Sequence, residues 1–182
     1  GDLGNSYAAL LQDPKIVTEA DILLLESTYG DRNHRSMDET LEEFEAIIDE
    51  STKSGGNILI PSFAVGRTQE ILFRLGELYQ KGKLRHHEIY LDSPMAIAVT
   101  EIYHRYQNIF NKEDKKAMSK GSDKSLHNFF PNLHFSISTE ESIALNKVEK
   151  GAIIIAKTEI KRIILQFLNE SSLTKNVPLN ML

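Results

Sequence analysis

Five short apolar runs punctuate the chain, each about five residues long and rich in Ile, Leu or Val. They occupy residues 22–26, 57–61, 88–92, 133–137 and 152–156. None shows the apolar–polar alternation of a half-exposed strand, and continuous runs of this size are typical of strands covered on both faces. A single run of this length also fits a buried turn of helix, so the strand prediction depends on the set rather than on one member.

Between these runs, apolar residues recur at helical spacing. The clearest case follows Ser36, which forms a capping-box pattern with Glu39 three residues later. Further helices are predicted from near Gly66 to Gly82, over 95–110 after a Ser93–Pro94 cap, from Thr139 onward, and over 159–169. Alternation of strand and helix predicts βαβ units with right-handed crossovers, and so an α/β fold with a parallel sheet.

Polar, turn-prone segments follow three of the runs, at 26–35, 61–69 and 92–96. The carboxyl ends of parallel strands meet at one edge of a sheet, where α/β proteins bind ligands. Each segment alone is more often capping or turn chemistry than a site. Three of them at one edge favour a functional site.

Two positions in these segments carry the sharpest chemistry. Glu26 ends an apolar run at the margin of a core, where a carboxylate needs either a role or a partner such as Arg32 or Arg35. Gly66 and Arg67 open a helix, where free N–H groups and a guanidinium suit a phosphate oxygen. The structural alternative is a turn glycine followed by a solvated arginine.

Composition narrows the function classes. The chain has 182 residues, 41% apolar and 26% charged, with a formal net charge of −5, which fits about one ordinary globular domain. Without cysteine it has no disulfide, thiolate zinc site or cysteine nucleophile. No apolar run approaches the roughly 20 residues of a membrane span, so no membrane partner is expected. A pI near 5.7 argues against wholesale nucleic-acid binding but leaves room for a local basic groove.

Taken in order, four segments resemble one family. They are Gly-Asp-Leu-Gly at 1–4, Ala-Asp-Ile-Leu-Leu-Leu-Glu-Ser-Thr-Tyr-Gly-Asp-Arg at 20–32, Pro-Ser-Phe-Ala-Val-Gly-Arg-Thr-Gln-Glu at 61–70, and Leu-Asp-Ser-Pro-Met-Ala at 91–96. Over residues 1–156 the chain resembles the β-CASP branch of the metallo-β-lactamase fold, and within it the RNA-processing nucleases related to the cleavage and polyadenylation endonuclease.

The resemblance implies an architecture, a cofactor and a substrate. The expected fold is a Rossmann-like parallel-sheet β-CASP cap at 36–170 with helices on both faces. An N-terminal strip of a metallo-β-lactamase αββα sandwich would precede it at 1–35, and a tail would follow at 171–182. In the family, two zinc ions activate water for attack on an RNA phosphodiester. RNA is therefore the expected partner, and a cytoplasmic location is expected.

The resemblance also assigns roles to residues. Asp2 matches the aspartate that bridges the two metals, and Glu26 matches a catalytic carboxylate that holds a downstream histidine. The RNA side of the cap is matched by Ser62, Phe63, Gly66 and Arg67, and a structural strand–helix corner by Asp92, Ser93 and Pro94.

The sequence also departs from the family pattern. It contains no His-x-His-x-Asp-His metal motif, and after Ala156 it lacks the family's glycine-rich stretch. It opens at Gly1 without methionine, as expected for a middle section of a longer protein. This polypeptide alone is therefore expected neither to bind zinc tightly nor to cleave RNA.

Two other functions stay open, each with its own motivation. A noncatalytic RNA-binding or partner-docking module is motivated by Arg67 and the lysine-rich segment 112–124, with a second copy or the missing metallo-β-lactamase portion as partner. A small-molecule α/β enzyme would need perturbed carboxylates around Glu26 and Asp92, and it leaves the motif order unexplained.

Overall fold

A computed structural model describes residues 4, 6, 8–28, 30–33, 35–84, 88–112, 114 and 132–157, together with the backbone of 175–176. The helices in this part of the chain are α1 (Met37–Ser54), α2 (Arg67–Gln80), α3 (Pro94–Arg105) and α4 (Thr139–Ala144). The strands are β1 (Ile58–Ser62), β2 (Glu88–Asp92), β3 (Leu133–Phe135), β4 (Ala152–Lys157) and the two-residue β5 (Lys175–Asn176). Single 3₁₀ turns lie at Gln107–Ile109 and Leu145–Lys147.

The strands form one sheet in the order β3-β2-β4-β1-β5, and every neighbouring pair is parallel. Leu133, Ile89, Ile153 and Ile58 lie in register across the four longer strands. The row places branched apolar side chains side by side, as expected where both faces of a sheet are covered. The prediction of an α/β fold with a parallel sheet is confirmed.

The two faces of the sheet are covered unequally. Ile58, Ile89 and Ile153 belong to a large core cluster that also contains buried residues of α1, α2 and α3. The opposite face carries a smaller cluster that includes Ile154 of β4 and Leu145, just after α4. Three helices therefore insulate one face of the sheet, while the described part of the chain gives the other face a lighter cover.

Local sequence signals set the ends of α1. The Ser36 hydroxyl accepts a hydrogen bond from the Glu39 N–H at 3.3 Å, and the Glu39 carboxylate accepts one from the Ser36 N–H at 3.0 Å. The Ser36 hydroxyl also donates to that carboxylate at 2.8 Å, and this bond, followed by the one from the Ser36 N–H, holds the pKa of the exposed Glu39 carboxyl below its usual range. Gly55 ends the helix with φ of 73°, and its N–H bonds the Ser51 carbonyl. The predicted capping box is confirmed.

One predicted strand is wrong. Residues 22–26 lie outside any strand, and Ile22, Leu23, Leu24 and Leu25 are 82%, 64%, 81% and 53% exposed. A strand forms only when neighbouring strands accept its backbone hydrogen bonds, and the sheet of the described residues does not include this run. The metallo-β-lactamase strip at 1–35 and the other proposed domain boundaries therefore stay predictions.

Three smaller differences concern element ends. The fourth predicted strand, at 133–137, keeps only residues 133–135, and α3 ends at Arg105 before a separate 3₁₀ turn. The cap of α4 is Ser138 rather than Thr139, because Ser138 has the acidic residue Glu141 three positions later. The predicted helix at 159–169 and most of the lysine-rich segment 112–124 lie outside the described residues. Within the described part, no helix is long and apolar enough to cross a membrane.

Candidate nucleic-acid interface

The loop that joins β1 to α2, residues 63–66, lies at the carboxyl edge of the sheet and is here called the edge loop. Its side chains alternate in direction. Phe63 and Val65 are 65% and 63% exposed, while Ala64 between them packs against the large core cluster. The loop thus presents an aromatic ring and a branched aliphatic side chain to solvent from a backbone that contacts the core.

Gly66 gives the edge loop its sharp end. Its φ of 80° and ψ of −69° describe a γ-turn, closed by a hydrogen bond of 3.1 Å from the Arg67 N–H to the Val65 carbonyl. A Cβ at Gly66 would meet nothing within 4 Å. The backbone conformation, rather than a lack of space, therefore requires glycine here.

Thr68 and Ser62 hold the beginning of the edge loop. The Thr68 hydroxyl donates to the Phe63 carbonyl at 2.7 Å, and the Thr68 N–H reaches the same carbonyl at 3.2 Å. The Ser62 hydroxyl lies 3.1 Å from the Thr68 hydroxyl and is buried with it. Ser62 thus contributes to the loop framework, and an RNA contact through its side chain stays a prediction.

Gln69 holds the end of the edge loop from a fully buried position. Its amide oxygen accepts the Gly66 N–H at 2.8 Å, and its amide nitrogen donates to the Ala64 carbonyl at 3.1 Å. The same nitrogen lies 3.0 Å from the Thr100 hydroxyl of α3. Sequence analysis assigned no role to Gln69 or Thr68. A glutamine three residues after the cap of α2 is part of the capping-box pattern, and this signal could have revealed Gln69.

Arg67 begins α2 directly after the γ-turn, and its side chain is 38% exposed. Its guanidinium donates to the Glu70 carboxylate at 3.0 Å. The charge of the same Glu70 carboxylate also acts on Tyr103 of α3: burial, and secondarily this charge, raise the pKa of the Tyr103 hydroxyl. Arg67 is therefore a partly exposed cation at the strand edge, and a phosphate would share its guanidinium with Glu70 or displace that carboxylate.

The next strand end is a corner with its own supports. Ser93 is the N-cap of α3, and its hydroxyl accepts the Ala96 N–H at 3.3 Å, with Pro94 in the first turn. The Asp92 carboxylate accepts a hydrogen bond of 2.9 Å from the Ser142 hydroxyl of α4. The structure places all three residues where the predicted strand–helix corner requires them.

Glu26 lies on the exposed N-terminal run rather than at the end of a strand. Its carboxylate accepts a hydrogen bond of 2.8 Å from the Thr28 N–H. Of its two suggested partners, Arg32 pairs with Asp31 at 2.9 Å and Arg35 pairs with Glu43. A catalytic role for Glu26 stays a prediction, and Asp2 lies outside the described residues.

The donor groups of the described residues bear on whether this chain could hold a metal ion. These residues contain no group of three or more His, Asp or Glu side chains placed to hold a metal ion. Glu26 offers a single carboxylate, whereas zinc is held by at least three protein ligands at catalytic sites. The described residues by themselves do not fit a zinc centre, and no catalytic step is assigned to them.

Comparison with known proteins supports the family predicted from the motifs. The β-CASP domain family model matches residues 68–159. A protein named as a ribonuclease from Thermus thermophilus is 41% identical over 158 residues, which is 86% of this chain and 35% of the relative. An RNase J-like protein of Methanocaldococcus jannaschii is 36% identical over 118 residues, covering 63% of this chain and 28% of the relative.

A eukaryotic relative extends the comparison. Cleavage and polyadenylation specificity factor 73 of Drosophila melanogaster is 33% identical over 100 residues, covering 54% of this chain and 15% of the relative. The chain thus spans about a third or less of the length of these curated relatives.

Proposed function

Because the chain belongs to the β-CASP family of RNA-processing nucleases, we propose that it supplies an RNA-binding surface to such a nuclease, with the edge loop and Arg67 as the contact. The observation that carries the proposal is that Phe63 on the edge loop and Arg67 at the start of α2, four residues later, are 65% and 38% exposed, while buried side chains hold the loop backbone between them. An exposed aromatic ring suits an unstacked base, and a guanidinium suits a phosphate.

Charge distribution supports a local contact rather than a broad one. The net charge of −5 offers no general attraction for a polyanion, so binding has to come from a few placed cations. Each phosphate contact adds about one unit to the slope of log affinity against log salt. A contact confined to Arg67 and its surroundings therefore predicts weak binding with a shallow salt slope.

RNA hydrolysis is proposed for a whole nuclease of which this chain would be a part, and not for this chain alone. In that proposal Asp2 would be one of the ligands of two zinc ions, whose contribution would be to activate a water, and Glu26 would be a catalytic carboxylate. The 182 residues hold no His-x-His-x-Asp-His motif. We therefore expect this chain alone to bind RNA without cutting it.

The experiment is a titration of a fluorescent single-stranded RNA oligonucleotide with the chain at several salt concentrations. Arg67→Ala should weaken binding by about three- to tenfold and lower the salt slope by about one. Arg105→Ala is the control, because Arg105 is a solvent-exposed arginine at the end of α3, about 16 Å along that helix from its start at the sheet edge.

Three results would count against the proposal. Equal losses for the two variants, or no loss for Arg67→Ala, would remove Arg67 from the contact. Chelator-sensitive cutting of the RNA would contradict the expected lack of hydrolysis.

The exposed apolar side chains favour one second candidate, a surface on which protein docks. Phe63, Val65 and Met95 follow strands β1 and β2 at the same edge of the sheet, and all three are at least 60% exposed. The metallo-β-lactamase portion or a second copy of the chain would be the partner. A wild-type chain that fails to bind RNA even at low salt would favour docking over RNA contact.

A further inference from the structure

We propose that Gln69 is a positioning residue, which together with Thr100 of α3 holds the edge loop in the shape that presents Phe63 and Arg67. The effect on RNA rests on the proposed function, whereas the effect on the loop does not. Gln69 itself is fully buried and so touches no ligand. Its influence would act entirely through the groups to which it is bonded.

The hydrogen bonds of the Gln69 amide use both of its N–H donors and one of the two acceptor sites of its oxygen. The oxygen accepts from Gly66, and the two N–H bonds are directed at the Ala64 carbonyl and the Thr100 hydroxyl, with the Ala96 carbonyl further away at 3.4 Å. Two of these partners are backbone groups of the edge loop and one is a side chain of the neighbouring helix. The amide therefore joins the loop to α3.

Within the described part of the chain, the two backbone groups of the loop that Gln69 contacts have no second hydrogen-bond partner. Among the hydrogen bonds of the described residues, Gln69 alone meets the Gly66 N–H and the Ala64 carbonyl. A buried polar group that loses its partner shifts a conformational equilibrium by about five- to 150-fold. Removing the amide should therefore release the loop from its γ-turn.

Thr100 makes the link to α3 specific. Its hydroxyl donates to the Ala96 carbonyl within α3 at 2.8 Å and accepts from Gln69 at 3.0 Å, and the residue is 3% exposed. Thr100→Val keeps the shape and removes the acceptor, whereas Thr100→Ser keeps the hydroxyl. The pair of substitutions separates a hydrogen-bonded link from simple packing.

The test uses a fluorescent reporter on the loop itself. The chain contains no tryptophan, so Phe63→Trp places a single indole on the edge loop. In that background, time-resolved anisotropy and acrylamide quenching measure the mobility and accessibility of the loop. Gln69→Leu should raise the quenching constant about twofold or more, Thr100→Val should raise it less, and Thr100→Ser should restore the parent value.

Thr40→Val is the matched control for loss of a buried hydrogen bond. Thr40 is largely buried on α1, and its hydroxyl donates to the Ser36 carbonyl at 2.9 Å, far along the chain from the edge loop. The control should leave the indole signal unchanged. An indole that responds equally to Thr40→Val and Gln69→Leu, or to neither, would overturn the proposal.

RNA affinity, measured with the native Phe63, tests the consequence. Gln69→Leu should weaken binding by about tenfold, and Thr100→Val by less, in step with loop mobility. A loosened loop with unchanged RNA affinity would overturn the positioning role. If the parent chain binds no RNA, the proposed function fails, and the indole signal still decides whether Gln69 holds the loop. If Gln69→Leu does not fold, the comparison of Thr100→Val with Thr100→Ser decides it.

Discussion

Two apolar runs of nearly the same composition differ completely in solvent exposure: one is a buried strand and the other lies in solvent. Ile153 and Ile155 in β4 are 0% exposed, whereas Ile22 and Leu24 in the N-terminal run are 82% and 81% exposed. β4 lies between β2 and β1 and bonds to both, while the N-terminal run is not part of the sheet that the described residues form. An apolar run thus becomes a buried strand only where neighbours supply both hydrogen bonds and cover.

The N-terminal segment is not uniformly exposed, which sharpens the comparison. Leu10 is 1% exposed and belongs to the large core cluster. Its carbonyl accepts the Asn111 N–H at 3.0 Å, and its own N–H donates to the Asp114 carboxylate. The same segment therefore contains two residues buried in the core, Ala9 and Leu10, and, a dozen residues later, an apolar run in solvent.

The largest expected effect comes from truncating one residue in each run. Ile155→Ala should lower the free energy of unfolding by about 2 to 5 kcal/mol, because it leaves a cavity in the central strand. Leu24→Ala should change that free energy by no more than about 0.5 kcal/mol, because its side chain already meets water. Urea denaturation measures both. Similar losses at the two positions would mean that the N-terminal run is also packed.

The edge loop shares a feature with each of the two runs. Its apolar side chains Phe63 and Val65 are exposed, as in the N-terminal run, and its backbone is held by hydrogen bonds, as in β4. Gly66→Ala tests the backbone part, because φ of 80° with ψ of −69° should cost alanine about 2 to 3 kcal/mol of stability. Gly55→Ala is the control. It has φ of 73° in the ordinary left-handed region and similar free space, and should cost about 1 kcal/mol.

RNA affinity is a second measurement that distinguishes Gly66→Ala from Gly55→Ala. The Gly66 variant should also weaken RNA binding, while the Gly55 variant should not, because Gly55 ends α1 away from the edge loop. A Gly66 variant as stable as the Gly55 variant would show that the γ-turn is not enforced by the rest of the fold.

Most of the fold was predictable because its signals are local or repetitive. Continuous apolar runs gave four of the strands, and the Ser36–Glu39 and Ser93–Pro94 pairs gave the starts of α1 and α3. The wrong strand at 22–26 has the same local signal as the correct ones. The correct strands differ from it in having neighbouring strands in the sheet, which is a property of the tertiary structure and not of the run.

The site was predictable in outline but not in mechanism. Position at a strand end singled out Phe63, Gly66 and Arg67, and the structure has the first two on the edge loop and Arg67 at the start of α2. Sequence could not show that Ser62 is buried or that Gln69 reaches from α2 to Thr100, 31 residues later. Those contacts depend on α2 and α3 lying side by side on the sheet, which no local pattern encodes.

The most direct test of the account is amide hydrogen exchange of the chain with and without a single-stranded RNA oligonucleotide at low salt. The account predicts that RNA slows exchange in peptides covering 60–68, where the edge loop meets α2, and leaves peptides covering 20–26 unchanged. Slower exchange at 20–26 without any change at 60–68 would contradict it, because RNA would then contact the exposed run rather than the fixed loop.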